Sequence, residues 1–282
     1  MFDRIYVEIT NVCNLRCSFC PGTGRPAQTM PPAEFRTVAE RLRPYTDYLY
    51  LHVMGEPLLH PQLREILAAA EDLGFRVCLT TNGTLLPRQG AALLAAPALR
   101  KVSVSLHSYE GNGGGAEGLE AYLEGVLSFC LPAAERGILC ALRLWNGGGA
   151  DRLNGAVESY LSRRCGVDVP ALPRDGRGNR TLLPCLFLEP GERFDWPDMA
   201  AEESGAQFCH ALRRQIAVLC DGTVAPCCLD GEGRLALGNI FRQELPEILA
   251  SPRAEAMRRG FAARRPAEEL CRRCGYAARF NR

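Results

Sequence analysis

Apolar and polar positions change rhythm several times along the first two thirds of the chain, and each change marks an element. Ile5–Thr10 alternates apolar and polar residues with a period of two, the pattern of a strand with one buried face. Further β-rich runs follow at Tyr48–Val53, Arg76–Thr80, Lys101–Leu106 and Ile138–Trp145, with a weaker one at Cys185–Leu188. Between them the period lengthens to that of a helix. Phe35, Val38 and Leu42 share a face before Pro44 ends that helix, and Leu63, Ile66, Leu67 and Ala70 share another before Gly74. Leu119, Tyr122, Leu123, Val126 and Leu127 mark the fourth connection, and Leu153, Val157 and Leu161 the fifth. Repeated strand–helix units predict an α/β fold with a parallel sheet and its helices outside. The six units are fewer than the eight of a full barrel.

Near Gly191 this rhythm stops. Pro, Gly and acidic residues from Pro190 to Gly205 read as a linker. After it, Gln215–Cys220, the turn Asp221-Gly222 and Thr223–Cys228 predict a β-hairpin, because Asp-Gly suits a two-residue turn. A helical pattern runs from Leu245 through Phe261, and the pair Cys271/Cys274 follows. The expected division is a core at residues 1–190 and a smaller unit at 191–282.

Composition narrows the function. The 282 residues are 47% hydrophobic and 23% charged, ordinary values for a globular protein. A net charge of +1 argues against a general nucleic-acid or membrane-surface role. The balance is uneven, with nine Arg against three Glu between Arg253 and Arg282, which we read as a solvated helix face. No run reaches the roughly 18 apolar residues that span a bilayer. The chain enters a strand directly after Met-Phe-Asp-Arg, with no signal-peptide segment, so its 14 cysteines are expected to be reduced and the protein cytoplasmic.

Those cysteines carry the candidate chemistry. Cys13, Cys17 and Cys20 form C-x₃-C-x₂-C on the loop after the first strand. A 4Fe–4S cluster takes four Cys ligands, so three thiolates leave one iron open to a small chelating molecule. Zinc motifs pair C-x₂-C with a second pair, and core cysteines have no reason to gather on a Pro/Gly-flanked loop. At these residues the chain resembles the radical SAM superfamily, in which such a cluster is chelated by S-adenosylmethionine. Met54-Gly55-Glu56-Pro57 is similar to that family's G-G-E-P element, with Met in place of the first Gly. Thr80-Thr81-Asn82-Gly83 and Ser103-Val104-Ser105-Leu106-His107 resemble the ends of its third and fourth strands. The resemblance implies a partial (β/α)₆ TIM-like barrel whose open side admits substrate or another domain. It makes Gly55, Glu56, Asn82, Ser105, Arg143 and Asn146 candidates for S-adenosylmethionine contacts, Arg143 because a guanidinium binds a carboxylate bidentately. The Gly-rich stretches Gly111–Gly115 and Gly147–Gly149 match no phosphate loop and read as flexible connections bordering the site.

Cys209, Cys227, Cys271 and Cys274 make a plausible second, four-thiolate set. Their spacing resembles the SPASM/twitch extensions of the same superfamily, which carry auxiliary 4Fe–4S clusters. No cysteine follows Cys274, so one auxiliary cluster in the shorter twitch arrangement is expected. A structural Cys₄ zinc site satisfies the same spacing. Neighbouring strand side chains face opposite ways, so only one of Cys227 and Cys228 should ligate; the resemblance selects Cys227, and Cys220 is the main rival ligand. Cys78, Cys130 and Cys140 lie in apolar patterns and read as core.

Together the two sets imply reductive cleavage of S-adenosylmethionine to a 5′-deoxyadenosyl radical, hydrogen abstraction, and a net two-electron oxidation of a small polyol- or sugar-like substrate. A peptide or protein side-chain maturase and a non-catalytic iron–sulfur or zinc protein are the alternatives. An external electron donor such as flavodoxin or ferredoxin is the implied partner. His52, His107, Glu8 and Asp230 are possible proton acceptors and remain unranked.

Overall fold

A computed structural model describes residues 1–281. All six expected strands form: β1 (Arg4–Val7), β2 (Tyr48–Tyr50), β3 (Arg76–Thr81), β4 (Leu99–Ser105), β5 (Leu139–Gly147) and, after an unforeseen β6 (Arg180–Leu183), β7 (Leu186–Glu192). They pair in parallel in the order β1-β2-β3-β4-β5-β7, with β6 antiparallel on the far edge. Helices α1 (Pro32–Leu42), α2 (Leu63–Asp72), α3 (Leu86–Leu94), α4 (His107–Gly111), α5 (Leu119–Glu135) and α6 (Asn154–Cys165) supply the connections of this partial barrel. Pro44 does not stop α1 outright; a 3₁₀ turn at Arg43–Tyr45 carries it on, since proline fits the first turn of a helix.

The two faces of the sheet are sorted by residue type. Ile5, Val7, Leu49, Val77, Leu79, Val102 and Val104 point outward and merge with Phe35, Leu67, Val126 and Phe129 of the helices into one core. Arg4, Tyr6, Tyr50, His52, Thr80, Ser105 and Arg143 alternate with them and face inward, where they line a cavity. Central parallel strands are ordinarily apolar on both faces. The strict alternation here therefore reports an interior built for a polar occupant.

The predicted hairpin appears as β8 (Gln215–Val218) and β9 (Thr223–Ala225), followed by β10 (Gly238–Asn239). Two details differ from expectation. The loop holds three residues, Cys220–Gly222, because the Leu219 N–H donates to the Thr223 carbonyl and Gly222 adopts φ 81°. A three-residue hairpin of this kind places Gly in the left-handed region. Strand β8 also pairs in parallel with β1, Arg4 opposite Gln215 and Val7 opposite Val218, so the hairpin extends the barrel sheet to ten strands. Helices α7 (Leu245–Leu249), α8 (Pro252–Ala262), α9 (Glu269–Arg272) and α10 (Gly275–Ala278) complete the described chain. Four arginines of the basic tail form ion pairs, Arg253 with Glu268, Arg259 with Glu255, Arg272 with Glu203 and Arg273 with Glu269. Among the described residues no helix is long and apolar enough to cross a membrane.

Candidate active site

The loop after β1 is pinned from several sides. Its two ends bridge at Thr10 and Thr29, and the Asn11 side chain donates to the Pro26 carbonyl while accepting from the Gln28 N–H at 2.7 Å. The Ser18 N–H donates to the Gly111 carbonyl at 2.7 Å and the Arg16 N–H to Asn112 Oδ1 at 2.9 Å. A Cβ on Gly111 would meet the Phe19 ring at 2.6 Å, so the start of the first Gly-rich stretch packs closely on the thiol loop. Burial, then the neighbouring thiols Cys20 and Cys13, pushes the Cys17 thiol up to about 12. Burial also raises Cys13 and Cys20.

Turn residues after β2 fix this loop to the barrel. Gly55 has φ 74°, and a Cβ there would lie 2.5 Å from the Thr10 carbonyl oxygen, so only glycine allows the two backbones to approach. Glu56 is buried, with Oε1 accepting from the Leu58 N–H and Oε2 from the Asn82 N–H at 2.7 Å. Asn82 in turn donates to Asn14 Oδ1 and accepts from Thr84. Asn146 donates to the Ala150 carbonyl and exchanges hydrogen bonds with Asn154. Of the six candidate S-adenosylmethionine contacts, Ser105 and Arg143 line the cavity; the side chains of Glu56, Asn82 and Asn146 are spent holding turns.

Glu8 is fully buried. Both its oxygens lie 2.7 Å from Arg25 Nη2, and they also accept from the Met54 and Cys220 N–H groups. So saturated, it is unsuited to accept a substrate proton. The Cys220 sulfur sits 3.1 Å from the Glu8 carbonyl oxygen, apart from the four-thiol set.

Ser105, Arg143 and Glu189 are register partners on one rung of the sheet. Arg143 donates to Glu189 at 3.2 Å and to Thr80 Oγ1 at 3.3 Å, and lies over the Trp145 ring. Burial pushes the Glu189 carboxyl up, but Arg143 and Lys101 outweigh it and hold the group below its ordinary value. His52 Nε2 meets Thr80 Oγ1 at 3.2 Å, whereas its Nδ1 is buried without a partner among the described residues. Burial, then Arg143, lowers the His52 imidazolium to about 3. His107 is engaged differently, with Nδ1 at 3.1 Å from the Arg143 carbonyl and its ring against Phe19. Burial raises the Asp230 carboxyl, although it accepts from the Arg234 and Leu235 N–H groups.

Cys209, Cys227, Cys271 and Cys274 border the same cavity. Burial, then the charges of Cys228, Cys209, Cys271 and Cys274, raises Cys227 well above an ordinary thiol. Cys227 and Cys228 follow β9 rather than lying within it, and both border the cavity; the expected opposition of faces therefore does not apply. Among the described residues no three His, Cys, Asp or Glu side chains converge on a single point suited to one metal ion. All 14 cysteines are unbridged thiols. Three thiols on a largely exposed loop and four partly or fully buried ones at the cavity are donor sets of the kind that iron–sulfur centres take.

Sequence reading overlooked the aromatic wall: Tyr6, Phe19, Tyr50, Trp145, Phe194, Trp196 and Tyr276 all border the cavity. The signal available was the polar or aromatic residue at every second position from the start of β1 onward, Arg4, Tyr6 and Glu8.

Comparison with known proteins places these features. Residues 7–126 match the family described as the Radical SAM superfamily, and residues 209–275 match SPASM, an iron–sulfur cluster-binding domain. GTP 3′,8-cyclase of Chlorobaculum tepidum is 36% identical over 112 residues, 38% of this chain and 34% of that protein. The chain spans only about a third of the length of the curated relatives it matches. Among solved structures, BtrN in complex with AdoMet and 2-DOIA superimposes with a TM-score of 0.62 at 20% identity, covering 97% of this chain and 93% of that one. Native anSMEcpe with bound AdoMet and Cp18Cys peptide gives 0.61 at 13% identity, covering 98% and 86%. At such identities the structures share a fold with this chain. The three-thiol loop and the strand-end turns thus fall within the stretch that matches the Radical SAM superfamily, residues 7–126, and the later thiol set within the stretch that matches the SPASM iron–sulfur cluster-binding domain, residues 209–275.

Proposed function

We propose that this chain is a radical SAM oxidoreductase of the dehydrogenase type. Cys13, Cys17 and Cys20 would hold one 4Fe–4S cluster with S-adenosylmethionine on its open iron. Cys209, Cys227, Cys271 and Cys274 would hold one auxiliary cluster. We take residues 1–190 as the core, residues 191–282 as the auxiliary unit, and the protein as cytoplasmic with an external electron donor. Bound there, cluster and S-adenosylmethionine supply one-electron cleavage of a carbon–sulfur bond and hydrogen-atom abstraction from an unactivated C–H bond.

The observation that carries this reading is a single cavity walled by Phe19 of the first thiol loop, by strand-end residues, and by all four thiols of the second set. Residues of the chain have separate tasks around it. Gly55 and Glu56 keep the thiol loop against β3, and Arg143 and Ser105 offer donors to a carboxylate and a ribose. His52 and His107 border the cavity as neutral imidazoles and are the candidate proton acceptors. The aromatic wall excludes water.

A small polyol- or sugar-like substrate suits this cavity of about 290 Å³. A peptide side chain is the second reading. It is favoured by a wider groove beside Cys20, bordered by Gly22, Asp195, Trp196 and Glu232, along which a longer chain could lie. Anaerobically reconstituted protein with reductant should convert S-adenosylmethionine to 5′-deoxyadenosine, and Cys17→Ala should abolish this. Normal cleavage by that variant would remove the basis of the reading.

A further inference from the structure

Arg4, Arg143 and the solvent-exposed Arg193 border the cavity, and Lys101 reaches the Glu189 carboxylate beside Arg143. Two of them share one carboxylate, since Lys101 and Arg143 both bind Glu189, at 3.0 and 3.2 Å. Arg4 has none. Its neighbour Asp3 turns instead to Arg214, and among the described residues no carboxylate forms an ion pair with Arg4. Its guanidinium lies 5.7 Å from the centre of the Tyr50 ring and beside Tyr6, while the opposite register partner is the neutral Gln215. Burial pushes Tyr50 up to about 12 and raises Tyr6 well above its ordinary value, so both hydroxyls stay neutral near pH 7. The other cavity carboxylate, Asp230, already accepts from the Arg234 and Leu235 N–H groups.

A partly buried guanidinium without an anion is an uncompensated charge, and such a charge is normally paired. We propose that the cavity binds an anionic group of its substrate, a carboxylate or phosphate ester on a small polyol-like molecule, with Arg4 as the anchor. The proposal deepens the reading above and rests on it in one respect: S-adenosylmethionine occupies the Arg143 end of the cavity. Arg4 opens β1 and the three-thiol loop follows that strand, so the anchor and the open-iron site lie at opposite ends of the strand. The anion would be held at one end while the carbon to be oxidised extends toward the other, near His52.

The test is equilibrium binding to reconstituted full-length protein saturated with S-adenosylmethionine and without reductant. The probes are gluconate, glucose 6-phosphate and the neutral sorbitol. At least one anion should bind about tenfold or more tightly than sorbitol, the worth of a charge-assisted contact. Arg4→Gln should erase that preference and Arg4→Lys, which keeps the charge, should retain most of it. Cooperative thermal unfolding of both variants checks the fold. The tighter of the two anions identifies the group as carboxylate or phosphate. Equal binding of sorbitol and both anions to the unaltered protein, or an anion preference that persists in folded Arg4→Gln, overturns the proposal. Cleavage of S-adenosylmethionine by the unaltered protein, measured separately with reductant, reports on the radical SAM reading whatever the binding result.

Discussion

His52 combines an unpartnered buried Nδ1 with a strongly depressed basicity, and that combination has a measurable consequence. Its folded-state value of about 3 lies below the ordinary 6.5, so between those limits the unfolded chain binds more protons. Stability from this residue is full above pH 6.5 and falls as pH drops through the window, by up to about 1.4 kcal/mol per unit. His52→Asn should lessen the slope of unfolding free energy against pH between 6.5 and 5, measured by denaturant titration at each pH. An unchanged slope would mean that His52 titrates normally. At this scale the sequence was only partly legible. Cys13, Cys17 and Cys20 could be chosen by spacing alone, because a loop motif carries its ligands in order. Glu56 and Asn82 came from the family resemblance and Asn146 from its place after the fifth strand; whether such a side chain enters the cavity or turns back onto the chain depends on a single residue of register.

Glu8 joins four pieces of chain: β1, the thiol loop through Arg25, the turn at Met54, and the hairpin loop at Cys220. Its side chain is fully buried and that of Arg25 is 15% exposed. Removing one member of such a pair strands the other charge, so Glu8→Gln should lower the unfolding free energy by about 3–5 kcal/mol. The double variant Glu8→Leu/Arg25→Met should recover much of this loss, because apolar replacement removes both charges together. Denaturant midpoints decide the point: equal midpoints for single and double variants would show that the pair is not a unit. Elements were read well wherever the pattern was local. Six strands and the stripes of α1, α2, α5 and α6 follow from periodicity within a few residues. Strand β6 was missed because Arg180–Leu183 is only four residues long and gains its pairing from β7. The hairpin was visible through Asp221-Gly222, yet its parallel partner was not, since Ile216 and Val218 carry no mark of a strand that lies about 210 residues earlier.

Two thiol groups around one cavity make the molecule divisible by experiment. Reconstituted protein should hold about eight iron and eight sulfide per chain, four from each cluster. Cys271→Ala with Cys274→Ala should halve both, leave 5′-deoxyadenosine formation largely intact, and stop product formation. Stoichiometric zinc with a single cluster would overturn the auxiliary assignment, and loss of S-adenosylmethionine cleavage in a folded double variant would turn the second cluster into an electron donor to the first. The sheet itself bears on how the molecule is made. Because β8 closes against β1, the apolar-flanked edge Arg4–Val7 has no partner on that side until Gln215–Val218 has left the ribosome. At about 5–20 residues per second, that leaves an open strand edge for roughly ten seconds or longer in the growing polypeptide. Unpaired edges recruit other strands, so synthesis speed and chaperone supply should govern the soluble yield of this protein before any iron reaches it.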